Sequence, residues 1–556
     1  MRFEYIISLR QIALFYVVLL GLSWIASEEI RAYISAIGLV VIPLVVGFSL
    51  YVIIKKLKSL PTTYVLNVRS ALSWWMIGII SLTVFCSFLS VIRPTFTFDA
   101  GILLSLFGVF FCLIWGNKTT SSLLVLDKKS LFSIFVITIG IIVAYWYLRS
   151  LSAFPLMLGE DLQVHLTDIA AISTGIRGIG LYDDAFILLI GVVSPLARSQ
   201  PLWLFWSAPL IQYASLAVGI YFLSRKILSN YYAPLIAALV PLWFMGDGII
   251  NDLTFFLSRN VLMALVPFFV LYLLLDDKRP KSKPSLPFLL AGLVPVFYYF
   301  LTSSAFYIST VSKLPYIAQA LFQPGFLFTS PAFTFGMPIA NLQELYVAAV
   351  SFVIIYFLIR KSKSYEKKLI SNWAIVSFVA FLIDYRMGLM LSVIFFVFLI
   401  LREYSRFSAF FTLSIASLGL IGLMFTGVLG NWFGTNNTLN RLIFQTSSSV
   451  LSLPQKMDFL SQNYSQVFLY IALFSIVYLA FAASKKPRIV SIITALTAVS
   501  LAMYFLPIPS SERFLVLFTP FIVLLILISV ETLIETYLKP QASGETHSET
   551  LKKTET

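Results

Sequence analysis

Charge is scarce in this chain. Only 12% of its 556 residues are Asp, Glu, Lys or Arg, against 59% hydrophobic residues and a mean hydropathy of +0.92. That balance lies far outside the range of water-soluble domains and excludes them. Cysteine is nearly absent as well. Its two copies, Cys86 and Cys112, both fall in apolar runs, which excludes a disulfide framework and predicts two buried thiols. The only histidines are His165 and His547, too few for a histidine-built metal centre. Between the apolar runs, no polar stretch is long enough to make a soluble domain of any size.

What is there instead is a succession of apolar runs, each about 15 to 25 residues long, separated by short polar loops. In lipid such runs satisfy their backbone polar groups only as helices, so the expected fold is all-α. The expected architecture is polytopic, with about sixteen transmembrane helices between the first run, 10–27, and the last, 513–534. The run from Ile12 to Ala26 follows Arg2 and Arg10 as a signal peptide would, yet a second run starts directly after Glu28-Glu29. It is read as a retained first helix.

The net charge of +14 raises the question of nucleic acid. The Lys and Arg residues, however, sit in short clusters between apolar runs rather than on one continuous face, and no nucleic-acid partner is expected. Lys55-Lys56-Leu57-Lys58, Arg225-Lys226, Arg360 to Lys368 and Lys485 to Arg488 are examples. Every second loop is then basic, which places those loops and both termini in the cytoplasm and the protein in the plasma membrane. A full span at 185–197 would invert every later basic loop. That segment is therefore read as an interfacial or re-entrant helix within a long outer loop, 150–200. Further outer loops are 247–258, 310–345, 430–465 and 507–512. Residues 1–128 read as accessory transmembrane helices, 129–538 as the core that carries the chemistry, and 539–556 as a disordered cytoplasmic tail.

The loop 150–200 contains Gly159-Glu160-Asp161-Leu162-Gln163-Val164-His165. From Glu160 onward it has the pattern of an amphipathic helix, with Leu162, Leu166, Ile169 and Ile172 or Ser173 on one face. Asp161 and His165 stand four residues apart and share a face. Two readings stand: an ion pair at the membrane surface, or a pair that jointly grips a proton, a metal or a hydroxyl. The next outer loop, Asp247-Gly248-Ile249-Ile250-Asn251-Asp252, precedes Arg259, and its acids are read first as loop caps. Asp384-Tyr385-Arg386 reads as a tight outer turn with a local ion pair, and Asp168, Asp183 and Asp184 as solvated loop acids.

A long outer loop after one transmembrane helix, carrying Gly-x-Asp and a His four residues past the Asp, resembles the C-type membrane glycosyltransferases. That superfamily includes oligosaccharyltransferases and enzymes using polyprenyl-phosphate sugars. The resemblance runs on through Tyr182-Asp183-Asp184, Ser194-Pro195-Leu196, the stretch from Pro209 to Lys226, and Tyr231-Tyr232-Ala233-Pro234-Leu235. Near the end, Glu512-Arg513-Phe514-Leu515 followed by Pro520 resembles the final outer loop and last helix, so that roughly 130–535 is covered. The resemblance implies that an acid of the first outer loop acts on the acceptor or holds a metal: Asp161, with Glu160 as the second candidate. A departing phosphate needs a positioned cation, and Arg513 fits that role, with Arg259 second. The implied cofactor is a divalent cation, Mg2+ or Mn2+, held by Asp161, Asp247, Asp252 and His165. Oligosaccharyltransferases carry paired acids in the second loop, but here the two Asp residues are five apart rather than two, which weakens that set.

The Trp-Trp-Asp signature and large C-terminal soluble domain of oligosaccharyltransferases are missing, and Trp432-Phe433-Gly434 is no substitute. The expectation is an inverting hexosyl- or pentosyltransferase of the cell envelope. It would take sugar from a dolichyl or undecaprenyl phosphate donor to a glycan, lipid or protein acceptor on the outer face. Two alternatives stay open. One is a flippase or transporter of a lipid-linked saccharide, which would place ionisable residues near the midplane. The other is a surface-polysaccharide polymerase or ligase, in which Arg441 would carry more weight. The topology makes its own prediction: in a host that glycosylates asparagine, Asn436 and Asn463 become modified and Asn117 does not. Glycan on Asn117 would reverse the orientation.

Overall fold

The computed structural model describes residues 3–5, 8–57, 64–66, 68–116, 119–121, 124–126, 128–151, 159–176, 178–181, 184–244, 258–274, 285–295, 298, 339–384, 388, 391–392, 395–396, 452–482, 488–505 and 515–538. The expected spans 386–401 and 407–429, the loops 310–345 and 430–465 and the tail 539–556 fall wholly or largely outside them, as does any full count of helices.

The first helices are α1 (Leu9–Leu22), α2 (Glu28–Leu57), α3 (Val68–Ile92), α4 (Thr97–Trp115) and α5 (Lys128–Leu151). The segment after α5 contributes α6 (Gly159–Ser173), α7 (Ala185–Leu196) and α8 (Pro201–Ser207), which leads straight into α9 (Pro209–Arg225). Then follow α10 (Ala233–Phe244), α11 (Ser258–Leu274), α12 (Leu286–Ala291), α13 (Ile339–Lys361) and α14 (Ser364–Ile383). The last are α15 (Leu453–Asn463), α16 (Gln466–Ala482), α17 (Arg488–Tyr504) and α18 (Leu515–Leu533). Among the described residues four segments are long and apolar enough to cross a membrane: Glu28–Leu57, Val68–Ile92, Pro94–Trp115 and Pro201–Arg225. Large apolar side chains such as Phe110, Phe135, Tyr356 and Phe474 are more than half exposed, a surface suited to lipid rather than water. Cys86 and Cys112 are free and buried, as expected.

The chain departs from a purely helical reading in four three-residue strands. Phe3–Tyr5 (β1) pairs antiparallel with Leu124–Leu126 (β4), and Tyr64–Leu66 (β2) pairs in parallel with Thr119–Ser121 (β3). These segments precede α1, link α2 to α3 and link α4 to α5, so the pairing gathers three basic connections at one end of the bundle. Paired backbone is the simplest way for such short links to satisfy their polar groups. The same end receives further termini. Ser133 on α5 bonds Tyr231 ahead of α10 at 2.7 Å, Tyr272 near the end of α11 donates to Ser73 on α3 at 3.5 Å, and Glu531 of α18 accepts from the Ser229 N–H at 2.7 Å.

The opposite end is tied differently. Glu28, at the start of α2, accepts from Ser199 Oγ at 3.0 Å and the Gln200 N–H at 2.7 Å, and pairs with Arg31 at 3.6 Å. Ser90 at the end of α3 donates to the Ile179 carbonyl at 3.4 Å, and Ser258 at the start of α11 donates to Asp384 Oδ2, after α14, at 3.2 Å. Helix α7 therefore has both flanks at this end. Every residue from Ala185 to Ser194 is buried, between α2 and α4, which matches its unbroken apolar sequence.

Helix α2 contacts α1, α3, α4, α7 and α8. Its Pro43 lacks an N–H and so frees the carbonyl of Leu39, one turn earlier; the indole N–H of Trp75 on α3 donates to it at 3.3 Å. The two helices meet backbone to backbone there. A Cβ on Gly47 would overlap the Trp74 carbonyl, and one on Gly78 the Pro43 carbonyl. Gly47→Ala should therefore destabilise the protein, by about 1–3 kcal/mol or more. Gly21→Ala, where a Cβ meets nothing within 4 Å, should be neutral or stabilising. Thermal unfolding in detergent reads both; equal effects would refute the close crossing.

Candidate functional site

Helix α6 forms where the amphipathic pattern predicts it. Ile169 and Ile172 are buried, Leu162, His165 and Leu166 are partly buried, and Gln163, Val164 and Thr167 are exposed. The helix stops at Gly175, whose φ of +76° suits glycine, with the Ile176 N–H returning to the Ala171 carbonyl at 2.9 Å. Its inner face packs on α4, on the short turn Pro94–Phe96 and on α7.

His165 fixes this docking. Its ring lies parallel to Phe205 of α8, with centroids 6.0 Å apart and an interplanar angle of 13°. It also meets Phe186 of α7 edge-on at 5.3 Å. Asp161 stands one helical turn before His165, at the start of the same face, with Glu160 beside it; both side chains lie outside the described residues. Of the expected metal set only the His165 side chain is among the described residues, where it packs on two aromatic rings; among the described residues no three His, Cys, Asp or Glu side chains gather closely enough to hold a metal ion. Asp247, Asp252, Arg441 and Arg513 lie outside the described residues.

Arg259 is the second residue of α11, in a helix start tied down by the bond from Ser258 to Asp384; its own side chain is outside the described residues. The bond gives Asp384 a wider role than the local turn the sequence suggested, since it joins two helices distant in the chain. Arg386 is outside the described residues. Asp184 corrects the expectation of a solvated acid. It is 5% exposed, and its Oδ2 accepts from the Gly180 N–H at 2.7 Å, closing the turn that leads into α7. Asp168 is partly buried, and Asp183 is not among the described residues.

Two cations at this end were not singled out in the sequence. Arg198 has a φ of 56°, in the left-handed region, and lies over the Trp24 ring at 4.2 Å. Lys456 on α15 is 2% exposed and donates to the Tyr504 carbonyl at 2.8 Å, while the Tyr504 hydroxyl donates back to the Lys456 carbonyl at 2.7 Å. A cation on the C-terminal carbonyls of α17 sits at the negative pole of that helix. The only local signal was Ser452 with Gln455, which form a capping box at the start of α15.

Phe186 also lines a cavity of about 300 Å3 enclosed by α2, α3, α7, α9 and α11, with Ile383 from α14. Among the described residues of its wall, Gln212 and Ser215 are the polar ones. No family model, no curated protein and no solved structure matches this chain. The packing of His165 leads to a prediction: His165→Ala should speed backbone hydrogen exchange in 162–173 by about five- to tenfold, and His165→Phe should restore protection. Unchanged exchange in the alanine variant would show that other contacts dock α6.

Proposed function

We propose that this chain is an inverting glycosyltransferase of the plasma membrane. In this reading the end that bears the strands and basic loops is cytoplasmic, and α6 works at the outer face. The observation that carries the reading is the docking of α6. Its acid-bearing N-terminal turn is held by His165 against Phe186, and Phe186 is also a wall of an apolar cavity reached from α11, the helix that begins with Ser258 and Arg259. A carboxylate held at the membrane boundary above lipid-facing helices suits a reaction between a lipid-borne donor and a polar acceptor.

In the proposed reaction Asp161 takes the proton of an acceptor hydroxyl as its oxygen attacks the anomeric carbon of the donor sugar. The bond from that carbon to the phosphate oxygen breaks, its electron pair leaves with the polyprenyl phosphate, and configuration inverts. Arg513, with Arg259, would neutralise the phosphate through charge-assisted bonds. Glu160 is the second candidate for the base. No step is routed through a metal.

The test is transfer of radiolabelled sugar from polyprenyl-phosphate donors to membrane extracts by the purified protein. Asp161→Asn should lower transfer by a factor of about 10²–10⁴ and leave the unfolding temperature unchanged. Full activity in that variant would remove Asp161 from the mechanism, and absence of transfer by the wild type from every donor would favour a transporter of lipid-linked saccharide.

A further inference from the structure

Helices α13 and α14 are joined by Ser362 and Lys363 alone and pack against each other, so they form a hairpin. Between them, beside the segment that follows α12, lies a small cavity of about 40 Å3. Its wall is mostly aromatic. Phe352 of α13 meets Phe378 of α14 edge-on at 4.9 Å, and Tyr298 meets Phe378 and Phe381 at 6.0 and 5.6 Å. Trp373 lines it too, while its indole N–H donates to the Ser392 carbonyl at 3.2 Å.

Two serines interrupt this wall, Ser351 on α13 and Ser377 on α14. They are 7% and 3% exposed, and both hydroxyl oxygens are buried with no hydrogen-bond partner among the described residues. Hydroxyls in other helices behave differently. Ser49, Ser81, Ser105 and Thr494 each donate to the carbonyl four residues earlier at 2.7 Å. Ser351 and Ser377 instead line one cavity from two helices, and a buried hydroxyl left without a partner is costly.

Volume and chemistry restrict what can satisfy them. One water takes up about 30 Å3 in the liquid and needs two to four polar partners, which the size of the cavity and its two hydroxyls match. An organic ligand is excluded by size. A metal ion is excluded by the donor set, since no carboxylate lines the wall and hard cations take about six oxygens or more.

We propose that one water molecule is bound between Ser351 and Ser377, accepting from one hydroxyl and donating to the other, as a polar joint across an otherwise apolar hairpin. The joint reaches beyond the hairpin through its aromatic wall. Tyr298, in that wall, donates from its hydroxyl to the Leu181 carbonyl at 2.8 Å, within the turn that Asp184 closes ahead of α7. The site is independent of the glycosyltransferase reading.

The experiment exposes the full-length protein in detergent to brief X-ray pulses, which split water and oxidise the side chains beside it. Phe381 lines the cavity and Phe521 of α18 does not, yet both are buried away from bulk solvent. Phe381 should be oxidised several-fold faster than Phe521, and the excess should vanish in the double variant Ser351→Ala, Ser377→Ala. Equal oxidation of the two rings in the wild type would overturn the proposal, whether or not any variant folds. An excess that persists in the double variant would come from bulk solvent and would overturn it too. Equilibrium unfolding supplies a second test. Each single alanine variant should lower the folded-to-unfolded ratio by about five- to thirtyfold, because the water and the remaining hydroxyl lose a partner. The double variant should cost no more than the worse of the two. Additive costs would show that each serine bonds separately and would refute the shared water.

Discussion

The carbonyl of Leu39 has no partner within its own helix, because Pro43 has no N–H to offer it, and inside a bilayer no water is available to take its place. Trp75 supplies the missing donor, and much of the remaining geometry depends on that bond. To bring the indole so close, α2 and α3 must cross at backbone distance, which Gly47 and Gly78 allow and any larger residue would prevent. With α3 held there, α2 is left free on its other faces to carry α1, α4, α7 and α8. Leu39 and Trp75 also belong to the wall of the apolar cavity, so the bond that repairs the proline break shapes the cleft as well.

The two ends of the bundle are built on different physics. At one, short strand pairs gather connections rich in Lys and Arg, and the cations rest on rings: Lys56 over Trp115, Arg69 over Tyr272, Arg225 over Tyr221. At the other, acids accept from backbone and hydroxyl donors, as Glu28 does from Gln200, Asp184 from Gly180 and Asp384 from Ser258. A cation over a ring is drawn to the negative face of the π system. A carboxylate saturated by fixed donors serves as a joint between helices instead. Glu160 and Asp161 lie in the first turn of α6, a helix whose opposite end is closed by Gly175.

Much of this could be read in the chain before any coordinate. The absence of soluble-range charge and the length of the apolar runs led to helices within a few residues of those observed: 71–92 against Val68–Ile92, 466–483 against Gln466–Ala482, 513–534 against Leu515–Leu533. Basic clusters between the apolar runs were legible for a local reason, since charge in a link is read segment by segment and needs no tertiary information. The amphipathic face of α6 was legible for the same local reason, the periodicity of Leu162, Leu166, Ile169 and Ile172.

Only the tertiary structure decided what those faces meet. Nothing near His165 in sequence announces Phe186 and Phe205, and nothing near Asp384 announces Ser258, since each contact joins separate helices. Asp184 looks like any loop acid until the turn from Gly180 closes on it, and the buried course of α7 depends on the room that α2 and α4 leave between them. The cavity exists only where five helices stand apart together. Local chemistry determined that this chain forms long apolar helices suited to a membrane. Its clefts and joints depend on contacts between residues hundreds of positions apart, which no local pattern encodes.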